Sequence, residues 1–70
     1  MSIFTDRLRV HRKQTSLSQI DMAKELGLTH RSYRRYESGE TEPTLSVLIK
    51  IADYFQVSLD YLAGRTDEKT

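Results

Sequence analysis

Hydrophobic residues recur along this chain at the three- and four-residue spacing of amphipathic helices, and no segment alternates convincingly as a β-strand does. Phe4, Leu8 and His11 share one helical face and predict a first helix over residues 3 to 13. A later helix, opened by the Pro-Thr pair at positions 43 and 44, is predicted to run to about position 56. Its apolar stripe consists of Leu45, Leu48, Ala52 and Phe55. These patterns favour an all-α fold.

Three further helices are indicated by a repeated local signature. An apolar residue precedes a Ser or Thr cap, a second apolar residue follows in the first turn, and a glycine ends the helix. The cap and the glycine are Ser18 and Gly27 for helix two (Gln19 to about Leu26), Thr29 and Gly39 for helix three, and Ser58 and Gly64 for helix five. The sequence thus predicts a five-helix domain over residues 1–64. A polar tail over residues 65–70 is expected to be frayed.

Composition limits the classes of function. Seventy residues make one small domain, without room for the second lobe that forms a deep active site. The chain has no cysteine, no glycine-rich phosphate loop, and no cluster of metal ligands or catalytic groups. It also has no apolar run long enough for a signal peptide or a membrane span. We therefore expect a soluble cytoplasmic protein that is not an enzyme and has no cofactor, membrane association or small-molecule ligand.

Charge is distributed unevenly although the net charge is only +1. Residues 1–36 contain eight Lys or Arg and three acids, whereas residues 37–70 contain three Lys or Arg and seven acids. The two halves therefore carry +5 and −4. A basic half beside an acidic half is typical of a protein that binds a polyanion on one side only.

Helix three concentrates this charge on one face. At about 100° per residue, Arg31, Arg34 and Arg35 cluster together with Ser38, opposite the face of Tyr33, Tyr36 and Glu37. Arginine hydrogen-bonds guanine edges with two donors at once, and the major groove of DNA admits one α-helix.

The segment joining helices two and three suits a helix-turn-helix, since it combines a small residue for close crossing, a turn glycine and apolar contacts: Ala23, Gly27, Leu26, Leu28, Tyr33 and Tyr36.

The chain resembles the Cro and phage-repressor type of helix-turn-helix domain, the Xre family. The matching segments are RLRVHRK, LSQIDMAKELGLT, RRYESG, EPTLSVLIKIA and VSLDYLAG, and the resemblance covers about residues 6 to 64. It implies a lambda-repressor-like five-helix bundle that binds double-stranded DNA sequence-specifically and regulates transcription, as a repressor of bacterial or phage type. It also implies that residues 29–35 enter the major groove and that Arg12 and Glu37 form a buried structural ion pair.

Two sets of DNA contacts follow from the resemblance and from the outward face of helix three. The base-reading set is His30, Arg31, Arg34 and Arg35. The phosphate-binding set is Ser18, Gln19, Thr29, Ser32, Ser38, Lys13, Gln14 and Thr41.

One helix covers only a few base pairs, so we expect a two-fold homodimer on an inverted-repeat operator. Its interface is predicted at the junction of helices four and five, with Tyr54, Gln56, Val57, Asp60 and Tyr61.

Four positions depart from the family pattern. Tyr33 replaces a β-branched residue, His11 replaces a leucine and is interpreted as a half-buried core residue, and Ser16 replaces a glycine. Glu40 stands where Lys or Arg commonly lies near phosphate, which predicts modest affinity at physiological salt.

The alternative function is a protein-interaction module of the same fold, such as an antitoxin-like adaptor or anti-repressor, for which exposed Tyr54, Tyr61 and Ile20 would be suitable. RNA is disfavoured because an α-helix enters its major groove poorly.

Overall fold

Five helices make up the fold in the computed structural model, which describes residues 2–70. They are α1 (Ile3–Thr15), α2 (Gln19–Glu25), α3 (His30–Ser38), α4 (Leu45–Phe55) and α5 (Leu59–Ala63). No strand occurs within residues 2–70. The all-α class and the order of five helices are therefore confirmed. At its end, α1 continues two residues beyond the predicted position 13.

Each helix begins at a hydroxyl side chain that accepts a hydrogen bond from the backbone N–H three residues later. The five caps are Ser2, Ser18, Thr29, Thr44 and Ser58. Such a cap satisfies one of the unpaired N–H groups of the first turn and stabilises a helix by roughly 0.5 to 2 kcal/mol. Four of the five helices consequently begin within a residue or two of where the sequence signature places them, and Ser2 caps the first.

Every helix contributes one completely buried side chain to a single core. These residues are Leu8, Met22, Tyr33, Ile51 and Leu62, each with an exposed fraction of 0%. The stripe predicted for α4 is wrong at its first position, because Leu45 is 67% exposed. The core side of α4 is centred on Ile51 and Ala52 instead.

His11 is packed inside the domain with its polar edge satisfied. It is only 7% exposed, its Nε2 lies 3.0 Å from the hydroxyl of Tyr61, and its ring centroid lies 5.2 Å from that of Phe55. The interpretation of His11 as a core residue is thus confirmed, and its burial exceeds the expected half. Tyr61, by contrast, is not the exposed residue that we expected, since only 8% of it is accessible.

The polar tail is held against α1, so the expectation that it frays is wrong. Arg7 lies with its guanidinium carbon 4.1 Å from the ring centroid of Tyr61 and donates Nη1 to the carbonyls of Tyr61 and Thr66. Its Nη2 donates to Asp67 Oδ1 at 2.8 Å. The N–H of Ser58 then donates to the carbonyl of Lys69 at 2.7 Å. One arginine therefore fastens a segment about sixty residues away in sequence.

Burial of His11 predicts a loss of stability in mild acid. Desolvation, followed by the positive charges of Lys69 and Arg7, lowers the pKa of His11 below its ordinary value of 6.5. Between that lowered pKa and 6.5, the unfolded chain binds a proton that the folded chain does not. The free energy of unfolding should therefore be highest above pH 6.5 and fall as the pH drops towards the folded pKa. Urea unfolding between about pH 5 and pH 8 measures this slope.

The variant that tests this assignment is His11→Leu, which should flatten the slope. An unaltered slope in the His11 variant would assign the acid sensitivity to other groups.

Candidate nucleic-acid interface

Helices α2 and α3 form a helix-turn-helix through a short connection. Gly27 adopts a φ of +70°, a left-handed conformation that disfavours side chains with a Cβ. The N–H of Leu28 donates to the carbonyl of Ala23 at 2.8 Å, which closes the turn. Ala23 itself is 1% exposed, so the small side chain lies where the helices pack most closely. This turn fixes the direction in which α3 projects.

Helix α3 presents two chemically different faces. Tyr33 and Glu37 are buried at 0% and 2% exposure. Arg31 and Arg34 are exposed on the other face, and Arg35 is half-buried beside them. The side chain of Arg35 is 42% exposed and its Nε lies 3.8 Å from Glu40 Oε2. The two faces agree with the sequence pattern, and the outward arginines form a polar surface suited to an anion.

An open cleft of about 480 Å³ adjoins the outward face of α3. Its lining comes from α1, α2, α3 and the loop that follows: Arg9, Gln19, Arg31, Arg34, Arg35, Glu37, Ser38 and Glu40. The sequence pattern did not indicate Arg9, because its neighbours in the cleft are ten or more residues away along the chain. The Arg-rich lining favours an anionic ligand and suits an apolar one poorly.

Glu37 sits at the centre of a hydrogen-bond network that joins three helices. Arg12 donates Nε to Oε2 at 2.5 Å and Nη2 to Oε1 at 3.2 Å. Gln19 donates Nε2 to Oε1 at 3.0 Å, and the hydroxyl of Tyr33 donates to Oε2. Arg12 also donates Nη1 to the carbonyl of Leu17 at 3.0 Å. The structure thus contains the buried ion pair that the resemblance implies, with two additional donors.

The network controls the charge state of its members. Burial raises the pKa of Glu37, but the hydrogen bonds from Arg12, Tyr33 and Gln19 outweigh it, and the pKa is lowered from its ordinary value of 4.5. Burial together with the neighbouring carboxylate raises the pKa of Tyr33. Tyr33 therefore stays a neutral donor and Glu37 an anionic acceptor at neutral pH. Valine or isoleucine at position 33 could not provide this hydroxyl contact.

The phosphate-binding candidates fall into two groups in the structure. The hydroxyls of Ser18 and Thr29 accept capping hydrogen bonds from the N–H groups of Asp21 and Ser32, so the hydrogen of each hydroxyl is the group that could bind a phosphate. The amide of Gln19 is held by Glu37 at the wall of the cleft. The remaining members are exposed or half-buried around this region or on α1 and the loop after α3: Ser32, Ser38, Lys13, Gln14 and Thr41.

The predicted dimer residues differ in exposure and in the contacts that they make within the chain. Tyr61 is 8% exposed and packs against His11 and Arg7, so little of its side chain is available to a second copy. Tyr54 lies on the α2 side of α4, where its hydroxyl donates to Glu25 Oε1 at 3.2 Å.

The remaining members lie around the turn between α4 and α5. Val57 is half-buried, Gln56 is exposed, and exposed Asp60 pairs with Arg65 at 3.2 Å. Leu59 follows the cap Ser58 directly at the start of α5 and is 37% exposed.

Two further properties concern residues 2–70. None of the helices there combines the length and apolar character needed to cross a membrane. Within the same residues, no three His, Cys, Asp or Glu side chains group together in a way that could hold a metal ion.

Comparison with known proteins matches residues 8–62 to the Helix-turn-helix family. The chain is 48% identical over 65 residues to the cryptic phage CTXphi transcriptional repressor RstR of Vibrio cholerae, a match that covers 90% of this chain and 58% of that protein. It is 44% identical over 68 residues to the HTH-type transcriptional regulator YqaE of Bacillus subtilis, covering 96% and 59% respectively. This chain thus spans about three fifths of the length of both relatives.

A solved structure has the same arrangement of helices. The P22 c2 repressor protein, crystallised in complex with synthetic operator 9T in the presence of Tl⁺, superimposes with a TM-score of 0.79 at 29% sequence identity. The match covers 89% of this chain and 94% of the P22 chain. The arrangement of the five helices therefore has a counterpart in a repressor bound to DNA.

Proposed function

This chain belongs to the Helix-turn-helix family of Cro and phage-repressor type, the Xre family, and we propose that it regulates transcription by binding double-stranded DNA sequence-specifically through α3. We propose further that it acts as a repressor, since RstR and the P22 c2 protein are both named repressors. Such a function requires neither catalysis nor a cofactor, and it places the protein in the cytoplasm with the DNA.

The observation that carries this proposal is the outward face of α3. Arg31 and Arg34 are exposed, while Tyr33 and Glu37 on the opposite face anchor the helix to the core. A rigid helix that projects guanidinium groups matches the donor and acceptor pattern of guanine in the major groove. His30, at the first position of the helix, is exposed and completes the proposed base-reading set with Arg35.

We propose that two copies bind one operator. A single domain reaches too few phosphates and bases to select one site in a genome, and a two-fold dimer doubles both sets of contacts. The turn between α4 and α5 offers the surface for it, with exposed Leu59 and Gln56 and half-buried Val57. The exposed apolar area is small, so association is expected mainly on DNA.

Selection of binding sites from random duplexes tests the function and the stoichiometry together. We expect an inverted repeat with half-site centres roughly 10 bp apart or a multiple of that spacing. Sedimentation of the saturated complex should then give two chains per duplex. A single asymmetric site occupied by one chain would contradict the dimer. A pool of bound duplexes that share no common sequence would contradict specific recognition.

Gln19 is proposed to hold a phosphate together with the N–H groups at the start of α2. Gln19→Ala should weaken binding to the selected operator and to a scrambled duplex by the same factor, because phosphate contacts carry no sequence information. Fluorescence anisotropy with both duplexes measures the two affinities. Because Gln19 also donates to Glu37, urea unfolding of the variant is the necessary control. A change in base preference without a general loss would contradict the phosphate role.

The protein-interaction alternative loses part of its basis. It depended on three exposed side chains, and Tyr61 is buried while Tyr54 is bonded to Glu25 and 37% exposed. Ile20 remains exposed at 48%. An isolated apolar side chain is normal on a small protein surface and does not define an interface.

A further inference from the structure

We propose that Arg9 of α1 is a DNA-backbone contact that holds a phosphodiester group at the open cleft beside α3. This inference rests on the proposed binding of α3 to DNA and adds a residue near the middle of α1 to the interface. Neither the charge pattern of α3 nor the resemblance to the Xre family assigns Arg9 to DNA.

The first support is position. Arg9 lines the same cleft as Arg31, Arg34 and Arg35, although it comes from a different helix. A helix lying in the major groove has a sugar-phosphate strand on each side. A cation that shares a cleft with the groove-facing residues, but projects from a neighbouring helix, is therefore placed to meet a backbone strand.

The second support is charge. Four arginines line the cleft against two carboxylates, Glu37 and Glu40. The charge of Glu37 is already compensated by Arg12, whose Nε lies 2.5 Å from Glu37 Oε2. Arg12 itself does not line the cleft. The cleft therefore keeps a clear excess of positive charge. A phosphate entering it would replace the counterions that this excess attracts.

The third support is the fixed position of the Arg9 side chain. Its Nη2 lies 2.9 Å from Asp6 Oδ1, one turn earlier on α1, and its side chain is 35% exposed. This ion pair holds the guanidinium of Arg9 on the side of α1 that lines the cleft. One turn later, Arg12 anchors the same helix to Glu37.

The test compares two variants that each lose one arginine and one surface ion pair. Arg9→Ala removes the guanidinium that lines the cleft and pairs with Asp6, whereas Arg65→Ala removes a guanidinium that pairs with Asp60 on α5. Affinities for the selected operator and a scrambled duplex are measured by anisotropy from about 50 to 200 mM salt. Thermal unfolding confirms that both variants are folded, and Arg9→Gln is a milder replacement if alanine destabilises α1.

We expect Arg9→Ala to weaken both duplexes equally, by roughly 5- to 10-fold near 0.1 M salt, and to reduce the slope of log K against log salt by about 0.9. Asp6→Asn should change affinity in the opposite direction, and Arg65→Ala should match the wild type. An unchanged slope in Arg9→Ala, or a loss confined to the operator, would overturn the proposal. If the wild type bound neither duplex, the DNA-binding function itself would fail and this contact with it.

Free phosphate is the other source of the same chemistry. Inorganic phosphate, titrated at constant ionic strength, should produce no saturable chemical-shift changes at Arg9 or Arg34 in the nuclear magnetic resonance spectrum. A saturable change that Arg9→Gln abolishes would assign the cleft to a small anion and overturn the DNA assignment.

Discussion

Glu37→Ala is expected to lower the free energy of unfolding by about 3 to 5 kcal/mol, because it leaves Arg12 buried without its counter-charge. The side chain of Arg12 is 15% exposed and that of Glu37 only 2%. The substitution also removes the acceptor of Gln19 and of the Tyr33 hydroxyl. A small domain has little stability beyond this amount, so the variant should be largely unfolded near room temperature. Urea unfolding followed by circular dichroism measures the loss.

Two further variants separate the ion pair from its accessory donors. Tyr33→Phe keeps the ring and removes only the hydroxyl, so it should cost about 1 kcal/mol. Replacing both charged partners, as Arg12→Met with Glu37→Leu, should restore much of the stability, since the cost of breaking a buried pair is mostly the charge left behind. A double variant no more stable than Glu37→Ala would show that the network contributes mainly through its shape.

Arg31→Ala and Arg35→Ala should each weaken binding to the selected operator by roughly 1 to 3 kcal/mol and relax the preference at particular base pairs. A guanidinium that donates two hydrogen bonds to guanine loses both, and the guanine acceptors are left unpaired in a partly dehydrated groove. Anisotropy against the operator and its single-base variants measures both effects. Arg65→Ala, on an exposed side chain of the opposite half, is the charge-matched control.

The two arginines should differ in how the loss arises. Arg35 must exchange its contact with Glu40 for a base, whereas Arg31 is exposed in the free protein. Glu40→Gln should therefore strengthen binding to all duplexes by removing both a competitor and a negative charge from the interface. Wild-type affinity in both Arg31→Ala and Arg35→Ala would refute the placement of α3 in the groove.

Local signals explain why the helix boundaries could be predicted from the sequence. Ser18, Thr29 and Ser58 accept hydrogen bonds from N–H groups only three residues away, so each cap depends on a short segment. The two faces of α3 follow from helical periodicity in the same way. The ion pair between Arg12 and Glu37 joins residues 25 positions apart, and only the resemblance to the family indicated it.

Contacts between distant segments explain what the sequence did not predict. Tyr61 and Leu45 look alike as apolar members of amphipathic helices, yet one is 8% and the other 67% exposed. Tyr61 is covered by His11 and Arg7, which both come from α1, and helical periodicity alone does not indicate such a contact. Arg9 was missed for the same reason, since its neighbours in the cleft are brought together only by folding.

The division of α3 into a locked face and an outward face also has an evolutionary consequence. Tyr33 and Glu37 hold the helix through the core, and positions 30, 31 and 34 lie outside it and are exposed. Substitutions at the outward positions can therefore accumulate with little effect on folding, since surface changes usually alter stability by about 0.5 kcal/mol or less. A protein built in this way can follow a drifting operator, or diverge from a sister copy to a new one, by exchanging a few side chains while its scaffold stays constant.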